Sequence, residues 1–80
     1  MVKRSDPGAL AKCPFKYQIG DKVRIRGSSV IGEIIEGYCG CDPNEEAGTF
    51  GEITYDVRKD DGSMTTEFES NLELIERNPV

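Results

Sequence analysis

The sequence predicts an all-β fold: five short antiparallel strands closing into one small barrel, behind a disordered or loosely docked N-terminal tail. Three observations carry this. The opener Ile19-Gly20-Asp21-Lys22-Val23-Arg24-Ile25-Arg26-Gly27 alternates apolar and charged residues after a turn. It is answered near the C-terminus by Phe68-Glu69-Ser70-Asn71-Leu72-Glu73-Leu74-Ile75. Between them lie three further alternating segments, cut by Gly and Asp into lengths typical of strands.

Residues 1–15 read as a flexible tail. Pro7-Gly8 and Cys13-Pro14 break any periodic pattern, and Ala9-Leu10-Ala11 is too short for a helix that stands alone. Such a tail is expected to move freely up to Phe15 or Tyr17, where the barrel of residues 16–78 begins. The first strand is Lys22–Arg26, with Val23 and Ile25 on one face. The second, Val30–Cys39, is long enough to bend. Its alternation slips at Ile34-Ile35 and it contains Gly32 and Gly37, which predicts a bulge. Gly40–Gly48 is a polar loop, the longest internal one. The third strand is Phe50–Arg58, with Ile53, Tyr55 and Val57 inward and Glu52, Thr54 and Asp56 outward. Lys59-Asp60-Asp61-Gly62 makes a tight hairpin, since Asp-Gly tolerates positive φ. The fourth strand is Ser63–Phe68, with Met64, Thr66 and Phe68 on one side. Glu69-Ser70-Asn71 suits a single 3-10 turn, and the fifth strand is Leu72–Glu76. Five strands of this kind describe an SH3-like barrel, with Val23, Ile34, Ile53, Val57, Phe68 and Leu74 as the expected interior.

The 80 residues make one domain, and a hydrophobic share of 36% allows one modest core. The chain has no apolar run near the roughly 18 residues of a membrane span, and residues 1–7 lack a secretory apolar stretch. The expected location is cytoplasmic, with no membrane partner. Cys13, Cys39 and Cys41 make an odd count, which suits reduced thiols better than a disulfide framework.

Charge is unevenly distributed. Residues 1–26 carry seven Lys/Arg against Asp6 and Asp21, whereas residues 27–80 carry three against thirteen carboxylates. Two readings follow: Arg24 and Arg26 pair with carboxylates on neighbouring strands, or they form a basic stripe for an anionic ligand. The acidic body argues against nucleic acid as partner.

The chain has no histidine, so it contains neither a Ser-His nor a Cys-His nucleophile pair. The three cysteines do not have the spacing of a zinc ribbon; Cys39 reads as a small core residue, Cys41 as a loop thiol, and no metal is expected. No phosphate-binding glycine loop is present, and no cofactor is expected from the residues. The aromatics Tyr17, Tyr38, Phe50, Tyr55 and Phe68 either form the core or supply a stacking platform. Tyr38 and Phe50 flank the long loop, which also carries Glu45 and Glu46. With Arg24 and Arg26, these four are the candidate ligand-binding residues, and no catalytic residue is assigned.

Gly20-Asp21-Lys22-Val23-Arg24, then Gly32-Glu33-Ile34-Ile35-Glu36-Gly37-Tyr38-Cys39, then Leu72-Glu73-Leu74-Ile75 resembles the type II, trimethoprim-resistant dihydrofolate reductases carried on plasmids and gene cassettes. Those read Gly-Asp-Arg-Val-Arg, then Gly-Gln-Ile-Val-Gly-Trp-Tyr-Cys, then Leu-Glu-Arg-Ile. The resemblance spans about Gly20 to Ile75. It implies the five-stranded SH3-like barrel, a disordered N-terminal tail, and a homotetramer around one pore where NADPH and dihydrofolate meet. The family's active-site motif is not retained. Its lysine after Val-Arg is Ile25 here, and its Val-Gln-Ile-Tyr pore motif corresponds to about Met64-Thr65-Thr66-Glu67-Phe68. That stretch lacks the glutamine and brings a carboxylate towards two anionic ligands, a repulsion that grows where water is excluded. Asp42–Gly48 is also longer than the family's loop.

The expected function is therefore a small non-enzymatic binding module, encoded on a mobile element or integron cassette, with a protein or peptide partner and a homo-oligomeric assembly (dimer or tetramer). The alternatives are a pore-type NADPH-dependent dihydrofolate reductase and a nucleic-acid-binding barrel.

Overall fold

A computed structural model describes residues 2–39 and 53–79. The all-β class holds. The strands are β1 (Val2–Lys3), β2 (Lys22–Ile25), β3 (Ile31–Cys39), β4 (Ile53–Lys59), β5 (Met64–Phe68) and β6 (Leu72–Glu76), with one helical turn, α1 (Ala9–Lys12), and a 3-10 turn at Glu69–Asn71. All pairings are antiparallel, in the order β5-β4-β3-β2-β6, and β1 is added to the margin of β3. The described residues thus form six strands rather than five, the extra one coming from the segment expected to be a tail.

The local chemistry read from the sequence accounts for the turns. Gly62 adopts φ 87°, and its N–H bonds to the Lys59 carbonyl while Lys59 N–H bonds to Ser63 O. This closes the β4–β5 hairpin and fixes its register. The expected bulge is present: between β3 and β4 the register shifts between Ile34 and Glu36, leaving Ile35 as the extra residue. Gly37 has no room for a side chain, since a Cβ there would lie 2.9 Å from the Tyr55 ring and 3.1 Å from the Arg4 Cβ.

The interior is an aromatic and aliphatic cluster. Val23, Ile34, Tyr55 and Val57 are fully buried, joined by Tyr17, Leu72, Cys13, Cys39, Ala9 and Phe15, with Ile53 packed against them. The Tyr17 and Tyr55 rings meet edge to face at 5.3 Å, and Phe15 meets Tyr55 at 6.2 Å. Two expected core residues belong elsewhere. Phe68 is 52% exposed because the hairpin register pairs it with Thr54, on the opposite face from Tyr55 and Val57. Leu74 lies opposite Val23 but on β6, the last strand of the sheet order, and is 38% exposed.

The N-terminal segment also differs from expectation. Val2 and Lys3 pair with Cys39 and Tyr38, Arg4 N–H bonds to Gly37 O at 2.7 Å, and α1 buries Ala9. A single helical turn is unstable alone; here packing and a covalent bond hold it. That bond is a Cys13–Cys39 disulfide, with Cα atoms 6.4 Å apart, which overturns the reduced-thiol expectation for these two residues. An odd cysteine count does not prevent two of the three from pairing once the arm folds back over β3. Cys41 lies outside the described residues.

Asp21 is the one fully buried charged residue among those described. Its carboxylate accepts hydrogen bonds from Gln18 N–H (2.9 Å) and Asn78 N–H (2.7 Å), and its backbone carbonyl accepts from Ile34 N–H. One side chain therefore joins the turn before β2 to the C-terminal segment, satisfying donors that burial would otherwise leave unpaired.

Candidate binding face

The outer face of β3, β4 and β5 follows from register. Pairing sets Tyr38, Thr54 and Phe68 in one row, Glu36, Asp56 and Thr66 in the next, and Glu33, Arg58 and Met64 in a third. Asp56 is central. Its carboxylate accepts from the Tyr38 hydroxyl (3.0 Å) and from the Thr66 hydroxyl (2.9 Å). The bond to Asp56, followed by burial, raises the Tyr38 pKa. Arg58 donates to Glu33 at 2.8 Å. Against this polar lattice two large apolar side chains stand out: Met64 and Phe68 are each 52% exposed, and both lie on the edge strand β5.

Beside Phe68 is a half-open cavity of about 280 Å³ lined by Ile53, Phe68, Glu69 and Ser70. Behind it, the Tyr55 hydroxyl donates to Glu69 Oε2 at 2.6 Å and accepts from the N–H groups of Lys16 (3.1 Å) and Tyr17 (3.2 Å). Burial first, then the bond to Glu69, pushes the Tyr55 pKa well above the usual phenol value. A larger groove of about 590 Å³ lies between β6 and the paired start of β3 and end of β4. Its charged lining has both signs, with Lys22, Arg58 and Lys59 against Glu33, Asp60 and Glu76. Such a lining has no strong preference for an anion or a cation.

Of the sequence candidates among the described residues, Tyr38 belongs to this face and Arg24 and Arg26 do not. Arg24 forms an ion pair with Glu73 across β2 and β6, as the pairing alternative expects. Arg26 lies beyond β2; its N–H bonds to Asn71 O, and its charge helps lower the Glu73 pKa, after the hydrogen bond and charge of Arg24. Neither arginine reaches Tyr38: Arg24 pairs with Ile31 at the opposite end of β3, seven residues and up to about 23 Å along the strand. Phe50, Glu45 and Glu46 lie outside the described residues. Met64 and Phe68 were assigned inward, or left unassigned, by the sequence. The signal that finds them is the Asp-Gly hairpin, because it pairs even-numbered positions of the fourth strand with Thr54, Asp56 and Arg58, of which the first two already read as outward.

Among the described residues no group of three or more His, Cys, Asp or Glu is arranged to hold a metal ion, and no helix is long and apolar enough to cross a membrane. No family model, curated protein or solved structure matches the chain.

Proposed function

We propose that the chain is a non-enzymatic binding module with an SH3-like barrel, which engages a protein or peptide segment on the outer face of β3, β4 and β5. The observation that carries this is the exposure of Phe68 and Met64 on an edge strand, next to the hydroxyl–carboxylate lattice of Tyr38, Asp56 and Thr66. Apolar anchors with a polar surround are the usual composition of a recognition surface. The barrel reading is supported by the sheet order, in which β6 returns beside β2 after one 3-10 turn, the connection a small barrel needs to begin closing. A homo-oligomer is part of the proposal, since β5 is the last strand of the sheet among the described residues and an edge strand can pair with a second one. A cytoplasmic location is the sequence's expectation, and the Cys13–Cys39 bond weighs against it because reducing compartments keep thiols free.

The test is selection of random 12-residue peptides on the immobilised full chain. Enriched peptides should bind with micromolar Kd and weaken about tenfold with Phe68→Ser, the scale of one lost apolar anchor. Absence of any enriched peptide, or binding indifferent to Phe68, overturns the reading. Saturable NADPH binding with dihydrofolate turnover would establish the enzyme instead.

A further inference from the structure

β2 covers β3 only at Ile31, Gly32 and Glu33, while β4 runs along the other side of β3 as far as Cys39. The far half of β3, Glu36–Cys39, therefore has a margin that the other long strands leave open, and the N-terminal arm fills it. The arm does so with little structure of its own. Two residues pair, Val2 with Cys39 and Lys3 with Tyr38, and Arg4 N–H adds one further backbone bond to Gly37.

The side chains around this margin are selective. The Glu36 carboxylate accepts from Ser5 N–H (3.0 Å) and from the Ser5 hydroxyl (2.6 Å). The Arg4 guanidinium donates to the Tyr17 carbonyl at 3.3 Å. Val2 packs against the core, and Lys3 adds its charge near Glu36. The arm that sits here belongs to the basic first third of an otherwise acidic chain. Val2 and Lys3 are thus held by main-chain pairing, the logic of strand addition, and the chain then turns, Asp6 N–H bonding to the Lys3 carbonyl, so that Arg4 and Ser5 make their side-chain contacts from the turn.

We infer that the Glu36–Cys39 margin of β3 is a strand-addition groove for a short basic peptide segment, two paired residues followed by a turn, and that the N-terminal arm is its built-in occupant. This goes beyond the Phe68 face: the groove is a second site, with its own ligand class and its own control. The Cys13–Cys39 bond tethers the arm to the groove it occupies. A tether raises the effective concentration of the cis segment, so an outside peptide of equal intrinsic affinity is excluded. A dithiol weakens this: it gives two electrons to the bond, becomes a disulfide itself, and leaves Cys13 and Cys39 as two protonated thiols. The arm then stays linked through the backbone only, a looser tether with a lower effective concentration.

The probe is a fluorescein-labelled peptide of residues 2–12 (Val-Lys-Arg-Ser-Asp-Pro-Gly-Ala-Leu-Ala-Lys), titrated by anisotropy into the full chain. The dithiol-reduced protein and Cys13→Ser should each bind it at least about tenfold more tightly than the oxidised protein. Replacing both the Lys and the Arg of the peptide by Glu should remove most of this binding. Arg4→Glu with Ser5→Ala, which keeps the disulfide, should also admit the peptide. On reduction, amide exchange should quicken at Gly37 to Cys39 while Val23 and Val57 stay protected. Equal peptide binding by oxidised and reduced protein, indifference to charge reversal, or loss of protection throughout the chain on reduction would each overturn the inference. Selected peptides that need Phe68, with no binding of the arm peptide to any form, would overturn this inference and leave the binding-module reading standing. Failure of every peptide would remove both.

Discussion

On the inner face of β4, Tyr55 and Val57 are completely buried; on its outer face, Asp56 is partly exposed and Arg58 exposed. The two faces use the same residue type differently. Tyr55, inside, is held by three hydrogen-bond partners and two aromatic rings. Tyr38, outside, donates to one carboxylate at the surface. Inside, every polar atom must be satisfied because water cannot reach it. Outside, solvent competes for each bond, so the same groups are available for recognition.

This contrast can be broken most strongly from the inside. Tyr55→Ala should cost about 3–5 kcal/mol, the usual price of deleting a buried aromatic side chain, measured by urea unfolding. Removing the Cys13–Cys39 bond comes next. It closes a loop of sequence separation 26, which chain entropy values at about 3.5 kcal/mol; thermal melts with and without a dithiol read the difference. Tyr55→Phe keeps the ring and deletes the hydroxyl that two backbone N–H groups use, at a cost of about 1–3 kcal/mol.

The same phenol sharpens the comparison through pH. Its folded pKa is raised, so its contribution is fully present below the ordinary phenol value of 10.0 and is lost as pH rises beyond it. Alkaline unfolding should begin above that value and shift when Tyr55→Phe removes the ionisable group. Glu36 behaves in the opposite sense. Burial raises its pKa, but hydrogen bonds from Ser5 and Gly37, with the charge of Lys3, outweigh burial and lower it below 4.5. Its hold on the arm is present above that value and lost as pH falls through the lower folded one. Ser5 amide protection should fade over that acid range while the core amides persist.

The smallest effects lie outside. Phe68→Ser should move the unfolding midpoint by under about 0.5 kcal/mol, as exposed substitutions do, while weakening peptide capture. Arg24→Ala should leave the midpoint unchanged, because its pair with Glu73 is surface-exposed and screened. A large loss at Phe68 would show that the outer face is structural after all.

Much of the fold was legible because it rests on local chemistry. The bulge at Ile35, the Asp-Gly hairpin, the 3-10 turn at Glu69–Asn71 and the strand Leu72–Glu76 each follow from a short run of residues. The candidate face was less legible. Tyr38 could be named from its place at a strand end, but Phe68 required the register to be carried across the hairpin, and a large apolar residue reads by default as core. Asp21 looked like a turn residue; its reach to Asn78 spans 57 positions and leaves no local trace.

The sequence by itself determined the alternation of each strand and the sites of its turns, because side-chain direction in a strand depends only on position along it. Tertiary structure alone decided that the basic N-terminal arm returns to the margin of β3 and that Cys13 meets Cys39. Neither contact has a periodic signature. Both depend on Val2 and Ala9 finding apolar surface that exists only after β2, β3 and β4 have assembled.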